Sequence, residues 1–323
     1  MKPQKGQEDK IKELTEKLEV GIKEVFTSGR YREYLSTMNK FHSYSFNNSM
    51  LILLQKPEAS YVAGYKTWET LDRHVRKGEK GITIFAPCPY KTKKAVEVID
   101  TETGQVKRDI HGKPMREEKE ITYTSFKAIS IFDYSQTEGK PLPELAEELQ
   151  GKIPDYMILI DSIKEIAPVP IRFESWDKSK KGHYDLANKE IVIKSGMSEL
   201  QTVKTAIHET AHSILHKDKE HLKDSATMEV EAESIAFICC QHLGLDTSDY
   251  SFGYLAGWSS DKELPELKSS LQTIQRTAHE LIEDLDRAIL KHTNNLDISL
   301  TVADETLKIP SIADTKSICH HRR

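Results

Sequence analysis

His208-Glu209-Thr210-Ala211-His212 decides how this 323-residue sequence is read. In a helix, residues four apart lie on one face, so both imidazoles can reach one metal ion. A carboxylate directly after the first histidine can take a proton from water beside that ion. The surroundings favour a helix. Ser198-Glu199-Leu200-Gln201 reads as a capping box, with Ser at the N-cap and Gln three residues on. Leu200, Val203, Ala206, Ile207, Ala211, Ile214 and Leu215 then recur at helical spacing. A chance match on a solvated helix would have no reason to carry that apolar face.

A catalytic zinc takes three protein ligands and keeps one position for water. The third ligand is expected from the acidic helix downstream, Met228-Glu229-Val230-Glu231-Ala232-Glu233-Ser234-Ile235-Ala236. Glu229 and Glu233 share a face. Glu229 is assigned as ligand. Glu233 is assigned to accept the second N–H of a ligand histidine and so fix its tautomer. Swapped roles remain open, because both carboxylates lie on that face. Glu231 is expected to point elsewhere, into solvent. His216 lies one turn past His212, but the H-E-x-x-H-x-x-G-x-x-H pattern needs a bending Gly and a differently spaced His. His216 is therefore read as a packing or capping residue. The chemistry is general-base attack on a carbonyl, with Glu209 passing the proton to the leaving amine. Tyr254 and His221 are oxyanion-donor candidates by sequence proximity alone. The strand around Glu190–Ile193, if at a sheet edge, could pair with an extended peptide. A structural zinc site would fill four positions with protein ligands; three plus Glu209 argues for a hydrolytic centre.

Around this motif the chain looks like a two-domain α+β protein, as its length suggests. Hydrophobic residues make up 37% and charged residues 30%. No apolar run is long enough to span a bilayer, and Met1–Glu8 lacks the apolar core of a secretory signal. A cytoplasmic location is expected, with Cys88, Cys239, Cys240 and Cys319 as reduced thiols. The net charge of −5 is unevenly spread: residues 1–135 carry 24 Lys+Arg against 19 Asp+Glu, the remainder 22 against 32. A basic half and an acidic half suggest different partners.

In the basic half, residues 7–38 read as two helices broken at Ser28-Gly29-Arg30. Phe41–Met50 mixes aromatics with amides, including Tyr44, Phe46, Asn47 and Asn48. These fit either a capped buried helix or a base-stacking surface. Val75-Arg76-Lys77-Gly78-Glu79-Lys80-Gly81 is a cationic turn able to approach a phosphate backbone, and it lacks the spacing of a nucleotide P-loop. Residues 91–120 read as an exposed, charged hairpin with its tip at Glu102-Thr103-Gly104-Gln105, returning along Thr124–Asp133. Gly139–Pro143 marks a boundary, with a short helix expected near Glu144–Gln150. The expected division is 1–138, a linker at 139–150, a metal domain at 151–292, and a loosely ordered tail at 293–323. Within the metal domain the pattern gives a helix at Tyr156–Ile166, a strand near Ile171, a hairpin turning at Ala187-Asn188-Lys189, and a long amphipathic helix over Glu263–Leu290.

The sequence resembles the ArdC-type antirestriction proteins of conjugative and other mobile elements. The matching residues are Ser45-Phe46-Asn47-Asn48, Ala63-Gly64-Tyr65-Lys66-Thr67-Trp68, the Val75–Gly81 turn, Ile131–Gln136, Tyr184 with Ile191, the His208–His212 motif, Glu229 with Ala232-Glu233, Phe237–Leu245, and Tyr254 with Trp258. The resemblance implies an N-terminal single-stranded-DNA-binding domain followed by a gluzincin-like zincin metallopeptidase domain. It implies DNA contacts by Tyr44, Phe46, Asn47, Asn48, Lys66, Trp68, Arg76, Lys77 and Lys80. It also implies one zinc ion, with other divalent metals possible, and a role in protecting incoming DNA. Asp133 departs from the family, which tends to have Asn there, and the charged hairpin is long. The metal helices are also similar to ImmA/IrrE-type regulatory peptidases, which cleave a repressor. That likeness supplies the alternative function and a protein substrate.

Overall fold

The computed structural model describes residues 5–27, 30–101, 103–142, 156–176, 179–216, 223–247, 252, 255–260 and 262–297. The first part contains α1 (Lys5–Thr27), α2 (Tyr31–Lys40), α3 (Phe46–Gln55), β1 (Val62–Gly64), α4 (Tyr65–Thr70), β2 (Arg73–Val75), β3 (Ile82–Glu97), β4 (Arg116–Asp133) and β5 (Thr137–Gly139). The second contains α5 (Tyr156–Ile166), β6 (Ile171–Glu174), β7 (Gly182–Asp185), β8 (Glu190–Lys194), α6 (Glu199–Leu215), α7 (Ser225–His242), α8 (Leu255–Ser260) and α9 (Leu264–Asp297). This is an α+β protein with three small sheets, ordered β1-β4-β3, β2-β5 and β6-β8-β7.

Packing divides the chain into two units. One holds Ile84–Ile129 with the start of α1; the other holds Glu13–Thr83 and the described residues from Ser130 on. The first unit is the charged arm formed by the outer parts of β3 and β4. Ion pairs link its two strands, Lys91–Glu120 at 3.0 Å and Lys93–Glu118 at 3.7 Å. Its end is more folded than a single hairpin tip. A turn closed by Asp100 and Gln105 is followed by a second closed by Asp109 and Lys113, so the chain doubles back between Val98 and Met115. The local reason is Asp109, whose carboxylate accepts the N–H groups of His111 and Lys113.

In the second unit the N-terminal helices and the metal-site helices share one core. α7 packs against α2, α6 and α9, and α9 also packs against α5 and α3. Tyr31 on α2 bonds the Ser234 hydroxyl on α7 at 2.8 Å, both buried. The α9 stripe Leu267, Leu271, Ile274, Ala278, Leu281 and Leu285 is buried as its periodicity required. The helix continues seven residues past Leu290, to Asp297. Packing thus groups the chain differently from a cut at 139–150. Most of that segment, with the expected helix at 144–150 and the tail beyond Asp297, lies outside the described residues.

Two local expectations change. At Ser198 the cap is half of a box: its hydroxyl accepts the Gln201 N–H, but the Gln201 side chain bonds Thr205 and Lys181 instead. α7 starts at Ser225 rather than Met228, because Asp224 caps it by accepting from Thr227. The β7–β8 hairpin turns as expected, with the Asp185 carboxylate accepting from Ala187 and Asn188 and Lys189 at φ 52°. β8 is the central strand, parallel to β6 and antiparallel to β7. Glu190–Ile193 therefore cannot offer a free edge to a peptide. Its hydrogen-bonding groups are used on both sides, and Ile191, Val192 and Ile193 are buried.

Candidate metal centre and nucleic-acid surface

α6 carries both histidines one turn apart, and α7 packs alongside it. His208 Nε2 and His212 Nε2 lie 3.1 Å apart. One Glu229 oxygen is 3.6 Å from His208 Nε2 and the other is 3.4 Å from His212 Nε2. A tetrahedral zinc with bonds of about 2.05 Å separates its ligand atoms by about 3.3 Å. Two imidazole nitrogens and a carboxylate at this spacing therefore fit a divalent ion. Glu233 reaches the opposite side of His208, with Oε2 3.2 Å from Nδ1. A proton on Nδ1 leaves the Nε2 lone pair facing the ligand position. Glu229 thus lies against the two Nε2 atoms, and Glu233 against Nδ1 of His208.

The electrostatics agree with the geometry. Burial opposes charge on His208. The Glu229 and Glu233 carboxylates facing it and the nearby Glu209 charge outweigh that, and its pKa is pushed up to about 10. Glu229 is held well below the usual carboxylate range by His208 and His212, against the effect of burial. The pocket favours positive charge here. The Glu229 side chain remains 57% exposed, so the centre is open on that side. Glu209 is buried and lies beside Gly182 of β7. A Cβ built on Gly182 would come 3.2 Å from Glu209 Cγ and 2.6 Å from Thr205 Cγ2. The absent side chain lets β7 run directly against α6.

Glu231 is not solvated. It is 0% exposed, and its Oε1 accepts from Lys223 at 2.5 Å and Ser270 at 2.7 Å. Its other oxygen faces His216 Nε2 at 3.7 Å, within ion-pair range but beyond hydrogen-bond range. His216 caps α6 through its backbone, and its Nδ1 lies 2.9 Å from His212 Nδ1. A consistent set of tautomers follows. His212 donates from Nδ1 to His216 Nδ1, His216 presents Nε2–H toward Glu231, and His212 Nε2 keeps its lone pair for a metal. Each histidine of the motif is thus backed by another group, His208 by Glu233 and His212 by His216 with Glu231. The sequence spacing gave the first support but not the second, because the HExxH pattern carries no position for His216. Both oxyanion candidates, His221 and Tyr254, lie outside the described residues.

The expected DNA contacts divide by exposure. Trp68 is 0% exposed and donates its Nε1–H to Phe132 O at 3.0 Å. Phe46 and Asn48 are also buried. None of the three can stack on or bond a base, because their faces are already spent on the core. Tyr44 is half-buried, its hydroxyl donating to Val62 O, and Asn47 is half-buried. Lys66, Arg76, Lys77 and Lys80 are exposed. Arg76 is tied to Glu79 and Ser135 O, which shapes a turn carrying Gly78 at φ 91°. Exposed rings include Tyr65, at 49% beside Lys66, and three on the arm. Tyr90 and Tyr123 stack at 5.8 Å and are 44% and 38% exposed, and Phe126 is 51% exposed. Asp133 is buried and accepts backbone N–H groups from Ser60, Tyr61 and Ser135. A carboxylate, which has only acceptors, suits that nest better than an amide.

Two family models match the chain. The N-terminal domain of anti-restriction factor ArdC matches residues 6–132, and the IrrE N-terminal-like domain matches residues 165–248. A Bacillus anthracis protein described as uncharacterized is 28% identical over 313 residues, covering 87% of this chain. The chain spans about half the length of that relative, 52%. Two crystal structures of the antirestriction ArdC protein from plasmid R388, one metal-free and one Mn(II)-bound, are 23% and 21% identical. Each covers 78% of this chain and 86% of the other, with a TM-score of 0.44.

Proposed function

We propose that this chain, ArdC-like in its two domains, binds single-stranded DNA as an antirestriction-type protein and carries a zinc-dependent peptidase centre at His208, His212 and Glu229. The convergence of those three donor groups, with Glu209 on the same helix, carries the reading. A divalent cation held there would supply Lewis acidity and make water acidic enough to ionise near neutral pH. Glu209 takes the proton of the attacking water and delivers it to the leaving amine. Glu233 and His216 keep the two imidazoles aimed. β7, the outer strand of its sheet among the described residues, runs against α6 beside Glu209, and an extended peptide substrate would lie along this part of the centre.

The DNA reading rests on exposed cations around Gly78 and on exposed rings along the arm. Lysines neutralise phosphate and aromatic faces stack on bases with little sequence preference. The alternative is a regulatory peptidase that cleaves a protein partner, with the basic half docking it on DNA. The match to the IrrE N-terminal-like domain favours it.

Glu209→Gln separates the two. It keeps the shape and hydrogen-bonding length but not the base. Under the antirestriction reading, protection of incoming DNA persists in Glu209→Gln. Loss of protection together with loss of peptide cleavage would assign the activity to the peptidase. Single-stranded oligonucleotide binding that is absent, or indifferent to salt, would remove the DNA half of the proposal.

A further inference from the structure

A second group of metal-type donors lies away from the HExxH centre. His42 sits in the turn between α2 and α3. His279 and Glu283 lie one turn apart on α9, on one face. His42 Nδ1 and His279 Nδ1 approach to 3.0 Å, and a Glu283 oxygen lies within 4.8 Å of both. The ring of His42 also meets that of His242 edge-on at 5.8 Å, and His242 Nε2 is held by Asp286 at 2.9 Å. Three imidazoles and two carboxylates thus come from three separated parts of the sequence.

We infer that His42, His279 and Glu283 form a second binding site for a borderline transition-metal ion such as Zn2+, Co2+ or Ni2+. Two neutral imidazole nitrogens facing each other can share one proton, or both lone pairs can face one cation with the Glu283 carboxylate completing a three-ligand set. Two nitrogens and one carboxylate suit these ions and not Mg2+ or Ca2+, which prefer oxygen alone. The backbone is organised beforehand. Gln275 on α9 donates to Tyr44 O at 2.6 Å and to Ser49 Oγ at 2.9 Å, which fixes the turn carrying His42 against α9. Access is open, since His42 and His279 line a surface cleft of about 350 Å³ with Tyr44, Phe46, Gln275 and Arg276. An ion there would clip the α2–α3 turn to the last helix.

The test uses the full chain, stripped of metal and titrated with Co2+ followed by its visible absorption, with bound metal counted after desalting. Wild type is expected to hold two equivalents. His212→Ala, which disables the HExxH centre, is expected to hold one, and that ion should raise the thermal midpoint. Adding His279→Ala, or separately His42→Gln, to His212→Ala should abolish the remaining equivalent. Adding Glu283→Gln should weaken it at least about tenfold, since losing a charged ligand costs no less than the ~10–100-fold typical of a ligand's outer partners. One equivalent in wild type with none in His212→Ala overturns the inference. So does a second equivalent that survives both histidine changes. Failure of the HExxH centre to bind would leave the His42 equivalent in place, so the two sites stand or fall separately.

Discussion

Replacing Glu233 by alanine removes the carboxylate that lies 3.2 Å from His208 Nδ1. The ligand atom itself is untouched, so any loss of metal affinity measures orientation and tautomer. A hydrogen bond to a charged acceptor contributes about 1.5–3 kcal/mol. The Glu233 side chain is 31% exposed, which screens it and places the expected loss toward the lower end, about 1.5–2 kcal/mol. At about 1.4 kcal/mol per factor of ten, Glu233→Ala should weaken divalent-metal binding about 10–30-fold, within the ~10–100-fold typical of such outer partners. Glu233→Gln keeps an acceptor of the same length without the charge, and should lose only about threefold if a neutral hydrogen bond retains most of the orienting effect. The assay is competition between metal-stripped full-length chain and a chromophoric chelator at one fixed pH. Circular dichroism melts of the metal-free proteins would show that the fold is unchanged. Wild-type affinity in Glu233→Ala would refute the reasoning. Equal losses in the Ala and Gln variants would refute the orientation argument and leave only bulk charge.

Asp133→Asn should cost about 1–3 kcal/mol, because the amide nitrogen must face a backbone donor in the Ser60, Tyr61 and Ser135 nest; urea melts check it. Burial pushes the Asp133 carboxyl up, but its hydrogen bonds from Ser135, Ser60 and Tyr61 outweigh this and hold it below its ordinary value. Its stabilisation is therefore complete above the unfolded value of about 4 and lost as pH falls through the folded value. The gap in stability between wild type and Asp133→Asn should narrow as pH drops below about 4, and a gap independent of pH there would contradict this. Lys77→Ala with Lys80→Ala should make the salt dependence of single-strand binding shallower by about 1.4 in log–log slope, at about 0.7 per phosphate contact; an unchanged slope would show that the turn does not touch DNA. Tyr90→Ala and Tyr123→Ala should weaken single-strand binding by about 1–3 kcal/mol per stacked base with little change in thermal midpoint. Trp68→Ala should cost about 3–5 kcal/mol of stability and affect binding only where it unfolds the protein; the reverse pattern would restore Trp68 as a contact.

The convergence of His208, His212 and Glu229 was legible because helical spacing is a strong geometric constraint. His208 with His212, and Glu229 with Glu233, obey one i, i+4 rule on two helices, and the fold brings the two faces together. Spacing could not say which residues become buried. Glu231 was read as solvated because it lies off the ligand face. Yet α7 is packed by α2, α6 and α9, so leaving one face leads into another part of the interior. Trp68 and Phe46 show the same limit in the opposite direction. An aromatic beside amides or lysines has the composition of a stacking surface, and only tertiary packing reveals that its ring faces the core. The β8 assignment failed for a topological reason: a strand's place in its sheet depends on its partners, and β6 is a parallel partner from a separate segment. The doubled turn at the end of the arm was hidden in a charged run with little apolar periodicity.

The distribution of acids on α7 explains why both helices of the metal centre must be placed together. Glu229 faces the two Nε2 atoms, Glu233 faces the back of His208, and Glu231 faces His216, which backs His212. All three carboxylates leave one helix, and all the imidazoles belong to α6 or its C-cap. A slide of one helix along the other would change the ligand, the orienting bond and the His216 contact at once. The small residues Ala211, Ala232 and Ala236 of these two helices are all fully buried. Enlarging one of them should then disturb metal affinity as well as stability, although none offers a donor atom. The charge on α7 therefore does not mark a solvated face. Its acids are the electrostatic complement of the histidine row on α6, with Glu231 in the core and Glu229 on the open side.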